Sequence, residues 1–205
     1  MKKIISAEQV RQAAKGVKVI LLEKNTIISP LATDLAKELG VRFENNLSVI
    51  DESIRFRDIF PVKVVAIASD HGGFEMKKWL IPYLHDLGYI AHDLGPASDR
   101  ACDYPDFAFK IAQTVSEGKA DRGIMIDSVG IGSAMAANRV PGVLAAKCNN
   151  TFEAHSAREH NFANVLTLGA KIIGSEMAKS IVKTFLETES GAERHKKRIK
   201  MILDK

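Results

Sequence analysis

The sequence predicts an α/β protein: a three-layer α/β/α, Rossmann-like sandwich around a parallel sheet, preceded by a small α/β extension. Three observations carry that expectation. From Val62 onward, short unbroken apolar runs alternate with helix-length stretches, and strands without in/out alternation belong to parallel sheets covered on both faces. Several helical stretches end at a glycine, as at Gly40 and Gly88, where a chain leaving a helix often turns left-handed. Finally, the apolar run Gly123 to Ile126 stops at Asp127, passes through a turn containing Gly130 and Gly132, and becomes a small-residue helix. That is the pattern of a buried strand, a tight turn and a helix.

Taken in order, Ser6 begins a first helix, with Gln9 three residues on as in a capping box, and this helix should end near Gly16. Val17 to Leu22 reads as a strand, Asn25 to Pro30 as a turn, and Leu31 to Leu39 as a second helix closed by Gly40. Such a unit is too small to have much core of its own. Arg42 to Pro61 mixes charges with single hydrophobes and reads as a linker or docking strap, so the chain divides into 1–61 and 62–205. Strands are then expected at Val62 to Ala68, Tyr89 to Leu94, Gly123 to Ile126, Val143 to Cys148 and Val165 to Leu168. Helices are expected at Phe74 to Leu87, Phe107 to Val115, Ser133 to Asn138, Phe152 to Glu159, Ser175 to Leu186 and Arg194 to Leu203.

Composition narrows the class. With 46% hydrophobic and 26% charged residues in 205, the chain reads as an ordinary soluble protein. Its net charge of +4 concentrates only from Arg194 to Lys200. That argues for a local anion site or a solvated helix face over a nucleic-acid surface. Cys102 and Cys148 have no metal-type spacing and read as reduced thiols. The start lacks a long apolar segment and no apolar run reaches membrane-spanning length, so a cytoplasmic protein with no membrane span is expected.

Ligands of open parallel sheets bind at the carboxyl ends of strands. Here that rule selects Ser69-Asp70-His71-Gly72-Gly73, the Asp93 to Asp106 loop, the Asp127 turn and the segment after Cys148. Backbone N–H groups in the Asp127 turn could hold a phosphate. A carboxylate beside that anion is a common general base in sugar-phosphate chemistry, the plain alternative being an ordinary strand-to-helix connection. Asp70 and His71 suit hydroxyl recognition; alternatively Asp70 caps a helix and His71 is solvated. Arg194 and Arg198 share a helix face and could clamp a phosphate, as could any solvated basic tail imitate such a clamp. His160 and Asn161 taken alone read as structural. Gly130-x-Gly132 is followed by Met135 where a third glycine belongs, so the dinucleotide-binding fingerprint is incomplete.

Residues 63–203 carry five ordered motifs: Ser69-Asp70-His71-Gly72-Gly73-Phe74; Asp103-Tyr104-Pro105; Gly130-Ile131-Gly132 with Ala136-Ala137-Asn138; Arg158-Glu159-His160-Asn161 with Ala163-Asn164-Val165; and Arg194-His195-x-x-Arg198. Together they resemble the ribose-5-phosphate isomerase B and galactose-6-phosphate isomerase family. The resemblance implies aldose–ketose isomerisation of a phosphorylated sugar through a cis-enediolate. It also implies no metal or cofactor, and a homodimer or tetramer with sites shared between subunits. By the same resemblance, Asp70, His71, Asn161 and the glycine-loop positions Gly130, Gly132 and Ser133 would hold the substrate's oxygens, with Tyr104 and Ser128 lining the site. His160 would open the sugar ring, His71 would assist catalysis, and Arg194 and Arg198 would bind the phosphate from across the dimer.

The family's usual cysteine base is Asp127 here, a threonine two residues later that assists ring opening is Val129, and a subgroup's glutamate base is Ser133. The Asp127 turn looks more like one of the two subunits of galactose-6-phosphate isomerase. A carboxylate in a partly desolvated pocket beside a phosphorylated substrate tends toward a raised pKa, so Asp127 is expected to replace the cysteine. The lost hydroxyl at Val129 suggests an open-chain substrate such as a four-carbon sugar phosphate, although His160 argues against it. A subunit needing a cysteine-bearing partner, or a non-catalytic sugar-phosphate-binding protein, are the alternatives. Lys2-Lys-Ile-Ile-Ser-Ala-Glu-Gln-Val and the stretch Ile27 to Gly40 resemble N-terminal segments of enzymes associated with bacterial microcompartments. That resemblance implies recruitment or docking; an added layer supporting the dimer is the alternative.

Overall fold

The computed structural model describes residues 4–16, 18–22, 26–45, 58–191 and 193–204. The chain forms two compact units, Met1–Ile54 and Arg55–Lys205. Of the expectations above, those on Lys2, Val17, Asn25 and the greater part of the linker, 46–57, lie outside the described residues.

The first unit holds β1 (Ile4–Ile5), α1 (Ala7–Ala14), β2 (Val19–Leu22), β3 (Ile27–Ile28), α2 (Pro30–Leu39) and β4 (Arg42–Asn45). The Gln9 side chain accepts from the Ser6 N–H at 2.9 Å, so the capping box forms. Ser29 caps α2 through its side chain, Pro30 enters at the first turn and Gly40 closes it at φ 66°. Two expectations are corrected. Ile27–Ile28 is not turn but strand, paired in parallel with Ile4–Ile5. Arg42–Asn45 is not linker but a strand in parallel register with Val19–Leu22. The unit also has a core, in which Ile5, Val10, Ala32, Ala36 and Val41 are buried together. A two-residue strand carries no periodicity, which is why the pattern did not reveal it.

The second unit holds β5 (Val64–Ser69), α3 (Phe74–Asp86), β6 (Ile90–Asp93), α4 (Tyr104–Ser116), β7 (Arg122–Asp127), α5 (Ile131–Ala137), β8 (Ala145–Lys147), α6 (Thr151–Glu159), β9 (Val165–Gly169), α7 (Ser175–Glu187) and α8 (Glu193–Leu203). The five strands form one sheet, ordered β6-β5-β7-β9-β8, and every pairing is parallel. The expected α/β/α sandwich is what forms. Val65 and Ile67 pack with α3, α6 and α7 on one face. Their neighbours Ala66 and Ala68 pack with α4 and α5 on the other, as side chains of a strand must. Helix α4 starts at Tyr104, three residues before the expected Phe107, with Pro105 in its first turn, where a missing N–H costs nothing. The chain leaves β5 for one side of the sheet and returns from β6 to the other, so the strand order reverses between β5 and β7. The crevice at their carboxyl ends is the ligand-binding position of such sheets.

Candidate active site

The ends of β5 and β7 are joined by a hydrogen bond from Asp70 N–H to Ile126 O, 2.9 Å. Asp70 is 5% exposed and its Oδ1 accepts from Gly73 N–H at 2.9 Å, so it does cap the turn into α3. Burial and the nearby Asp127 charge raise the Asp70 carboxyl above its ordinary value, against the opposing pull of the Gly73 N–H and His71. His71 is exposed, and its Nδ1 lies 3.1 Å from Cys102 O. Cys102 N–H lies 3.4 Å from the same Nδ1, so the backbone of one residue holds the ring in either tautomer.

Asp127 ends the central strand and is also 5% exposed. Its Oδ1 accepts from Val129 N–H at 2.7 Å and from Gly130 N–H. Its Oδ2 accepts from the Ser133 hydroxyl and, at 3.3 Å, from Ser133 N–H. The carboxylate thus lies inside the amide cradle that the sequence reserved for substrate oxygens. The turn can close this tightly because Gly130 sits at φ 87°, where a side chain would be strained. Gly130 O is held by the Thr167 hydroxyl at 2.7 Å. At Gly132 a Cβ would stand 2.6 Å from the Tyr104 ring, so the ring packs on bare backbone. Ser128 Oγ approaches Gly72 in the same way. Asp70, His71, Tyr104, Asp127, Ser128, Gly130, Gly132 and Ser133 therefore gather at one crevice.

His160, Asn161, Arg194 and Arg198 do not join them. Helix α6 runs from the carboxyl end of β8 back to the start of β9, so its C-cap, His160, lies at the amino end of the sheet. The two ends are separated by the strand length, roughly 15–20 Å at about 3.3 Å per residue. The α7–α8 loop reaches the same end, where Gly191 N–H donates to Glu159 O at 2.8 Å. There the His160 and His195 rings stack with centroids 4.6 Å apart. His160 Nε2 pairs with Glu159 at 3.2 Å, and Arg194 Nε donates to His195 Nε2 at 3.2 Å. Burial, Arg194, His160 and Arg198 together hold the His195 imidazole below its ordinary pKa, with Glu159 opposing them. Arg194 and Arg198 stay exposed. Among the described residues no three His, Cys, Asp or Glu side chains gather as a metal-binding group, and no helix is long and apolar enough to cross a membrane.

The family model described as Ribose/Galactose Isomerase matches residues 65–202. The chain belongs to the ribose/galactose isomerase family. Ribose-5-phosphate isomerase B of Escherichia coli strain K12 is 36% identical over 141 residues, covering 69% of this chain and 95% of that protein. D-erythrulose-4-phosphate isomerase of Pectobacterium atrosepticum is 37% identical over 127 residues, covering 61% of this chain and 83% of that protein. The solved ribose-5-phosphate isomerase B of Clostridium thermocellum superposes with a TM-score of 0.68 at 42% identity, covering 69% of this chain and 95% of that one. This member of the ribose/galactose isomerase family is an enzyme, an isomerase, with the fold of its relatives.

Sequence reasoning missed Arg158 as more than a motif letter. Its side chain is 1% exposed and donates to Ala163 O at 2.7 Å, Ser190 Oγ at 2.9 Å and Asp58 Oδ1 at 2.8 Å. An arginine inside an otherwise apolar helix face was the available signal, since such a residue is buried only with partners.

Proposed function

We propose that the protein interconverts the aldose and ketose forms of a phosphorylated sugar through a cis-enediolate, with Asp127 as the base. The observation that carries this reading is the buried Asp127 carboxylate at the carboxyl end of the central strand, beside Asp70 and His71. A carboxylate offers about four lone-pair positions, and four donors engage this one. Only the Ser133 hydroxyl among them can turn without moving backbone. Its rotation frees Oδ2 to take the C2 proton of the aldose, as the electrons of that C–H bond form the C1–C2 double bond and negative charge gathers on O1. His71 Nε2 takes the O2 proton and returns it to O1. Asp127 then delivers its proton to C1, which leaves the carbonyl at C2.

In this reading Arg194 and Arg198 bind the phosphate and His160 opens cyclic substrates. Their separation from Asp127 in one chain supports a site completed by a second copy, in a homodimer or tetramer. Val129 in place of a hydroxyl, together with a relative named for a four-carbon ketose phosphate, supports an open-chain tetrose phosphate as substrate. Recruitment of the enzyme to a microcompartment through residues 1–61 rests on the sequence resemblance of that segment.

Initial rates on aldose and ketose phosphates of four to six carbons test the reading. Asp127→Asn is expected to lose about 10²–10⁴-fold of the rate on the favoured substrate; a loss below about tenfold removes Asp127 as the base. Efficient turnover of ribose 5-phosphate with none of tetrose phosphates removes the substrate assignment. The full engagement of the Asp127 carboxylate favours a second reading, a non-catalytic sugar-phosphate-binding protein. That reading expects ligand-dependent thermal stabilisation and no turnover.

A further inference from the structure

We propose that Asp58, which lies ahead of the family-matched segment 65–202, is a positioning residue for the phosphate-binding half of the site, acting through Arg158. The inference rests on the isomerase reading only for what that half binds.

Arg122 and Arg158 are buried side by side at the amino end of the sheet, their side chains 0% and 1% exposed. Burial and the charge of Arg158 lower the Arg122 pKa to about 10, against Asp58 and Asp121. Two guanidiniums out of water repel each other and need a shared anion. Asp58 Oδ1 is within reach of both, 3.2 Å from Arg122 Nη2 and 2.8 Å from Arg158 Nη2. Arg122 Nη2 also donates to Ile59 O at 2.8 Å, which fixes the backbone that carries the carboxylate. Burial raises the Asp58 carboxyl, but hydrogen bonds from Ser190 and Arg158 and the fields of both arginines outweigh it and leave the group below its ordinary value.

What Arg158 holds decides why this matters. Its Nη1 reaches Ala163 O at 2.7 Å, its Nε Thr188 O at 3.3 Å and its Nη2 Ser190 Oγ at 2.9 Å. One planar guanidinium thus clamps the end of α6 to the loop between α7 and α8. The next residues along those two segments are His160 and Asn161 on one, Arg194 and His195 on the other. The Gly191 N–H to Glu159 O hydrogen bond at 2.8 Å and the His160–His195 stack at 4.6 Å join them. With Asp58 in place, Arg158 directs four hydrogen bonds and the two segments keep one relative register. Without it, two unpaired buried cations remain, and the movement that relieves them displaces the segments that carry the imidazoles and Arg194.

Full-length wild type, Asp58→Asn and Asp58→Glu are compared by steady-state kinetics on the favoured sugar phosphate and by the imidazole signals of His71, His160 and His195 in ¹H–¹³C NMR, below the melting range of each. Asp58→Asn is expected to raise KM about tenfold with kcat within about twofold, to shift the His160 and His195 signals, and to leave His71 in place. Asp58→Glu, which keeps the charge, recovers most of the loss. Lowered stability with unchanged KM and unchanged His160 and His195 signals overturns the proposal and makes Asp58 a brace only. If wild type turns over no sugar phosphate, the isomerase reading fails by itself, and the imidazole signals decide between the same two outcomes. If Asp58→Asn does not fold, Ser190→Ala removes one bond from Arg158 and must shift the same two signals; no shift again overturns the proposal.

Discussion

Asp127 shows how a single residue type in a single turn decides what a site can do. As an acceptor with two oxygens, it draws in the N–H groups of Val129, Gly130 and Ser133. The sequence identified the residue and its turn. It did not reveal that the carboxylate fills its own cradle, because that depends on a rotamer and on one left-handed glycine. Asp127→Asn replaces an acceptor with an NH₂ facing amide donors, and urea unfolding is expected to show a loss of about 1–3 kcal/mol. Ser133→Ala keeps those amide bonds and is expected to show a smaller stability loss in the same urea unfolding. The two thiols differ by burial. Cys148 is 1% exposed, and burial with the Glu153 charge pushes its pKa up to about 12, against Lys147; Cys102 is half-buried. A thiol-reactive chromophore is therefore expected to titrate one cysteine in the native protein and two in denaturant. Rapid labelling of both would contradict the packing at the end of β8.

At the scale of elements, the long apolar strands and amphipathic helices of the second unit were legible because each spans several periods. The strands Ile4–Ile5, Ile27–Ile28 and Arg42–Asn45 were not, because their identity comes from pairing partners distant in sequence. The β7–α5 turn makes a sharper demand. Ala at Gly130 would meet the left-handed penalty at φ 87° and place its Cβ 3.0 Å from the Leu168 carbonyl carbon. Gly130→Ala is expected to cost about 1–2 kcal/mol of strain, seen in denaturation midpoints, and to reduce activity by displacing the Asp127 cradle. The α6–α8 contact brings a pH dependence. His195 titrates below its unfolded value, so its contribution to stability is present above about pH 6.5 and is lost as pH falls. The melting temperature is expected to fall between pH 7.5 and 5.5, and His195→Gln to flatten that slope. An unchanged slope would remove His195 as its source.

For the whole molecule, the fold places the two sets of candidate site residues at opposite ends of one sheet. Sequence motifs recorded both sets, yet linear order says nothing about which end of a sheet a residue reaches. Only the direction of α6 and α7 relative to the strands separates them. If a second copy completes each site, two inactive variants should complement each other. Co-refolding equal amounts of Asp127→Asn and Arg194→Ala is expected to restore about a quarter of wild-type activity, since about half of the dimers are mixed and each mixed dimer carries one intact site of two. No restoration would contradict shared sites. The central claim, that Asp127 moves the proton, is tested most directly by NMR detection of solvent deuterium entering C1 or C2 of the favoured sugar phosphate. Wild type is expected to incorporate deuterium, and Asp127→Asn to lose that exchange while still binding the ligand. Exchange at the wild-type rate in Asp127→Asn would show that another group carries the proton.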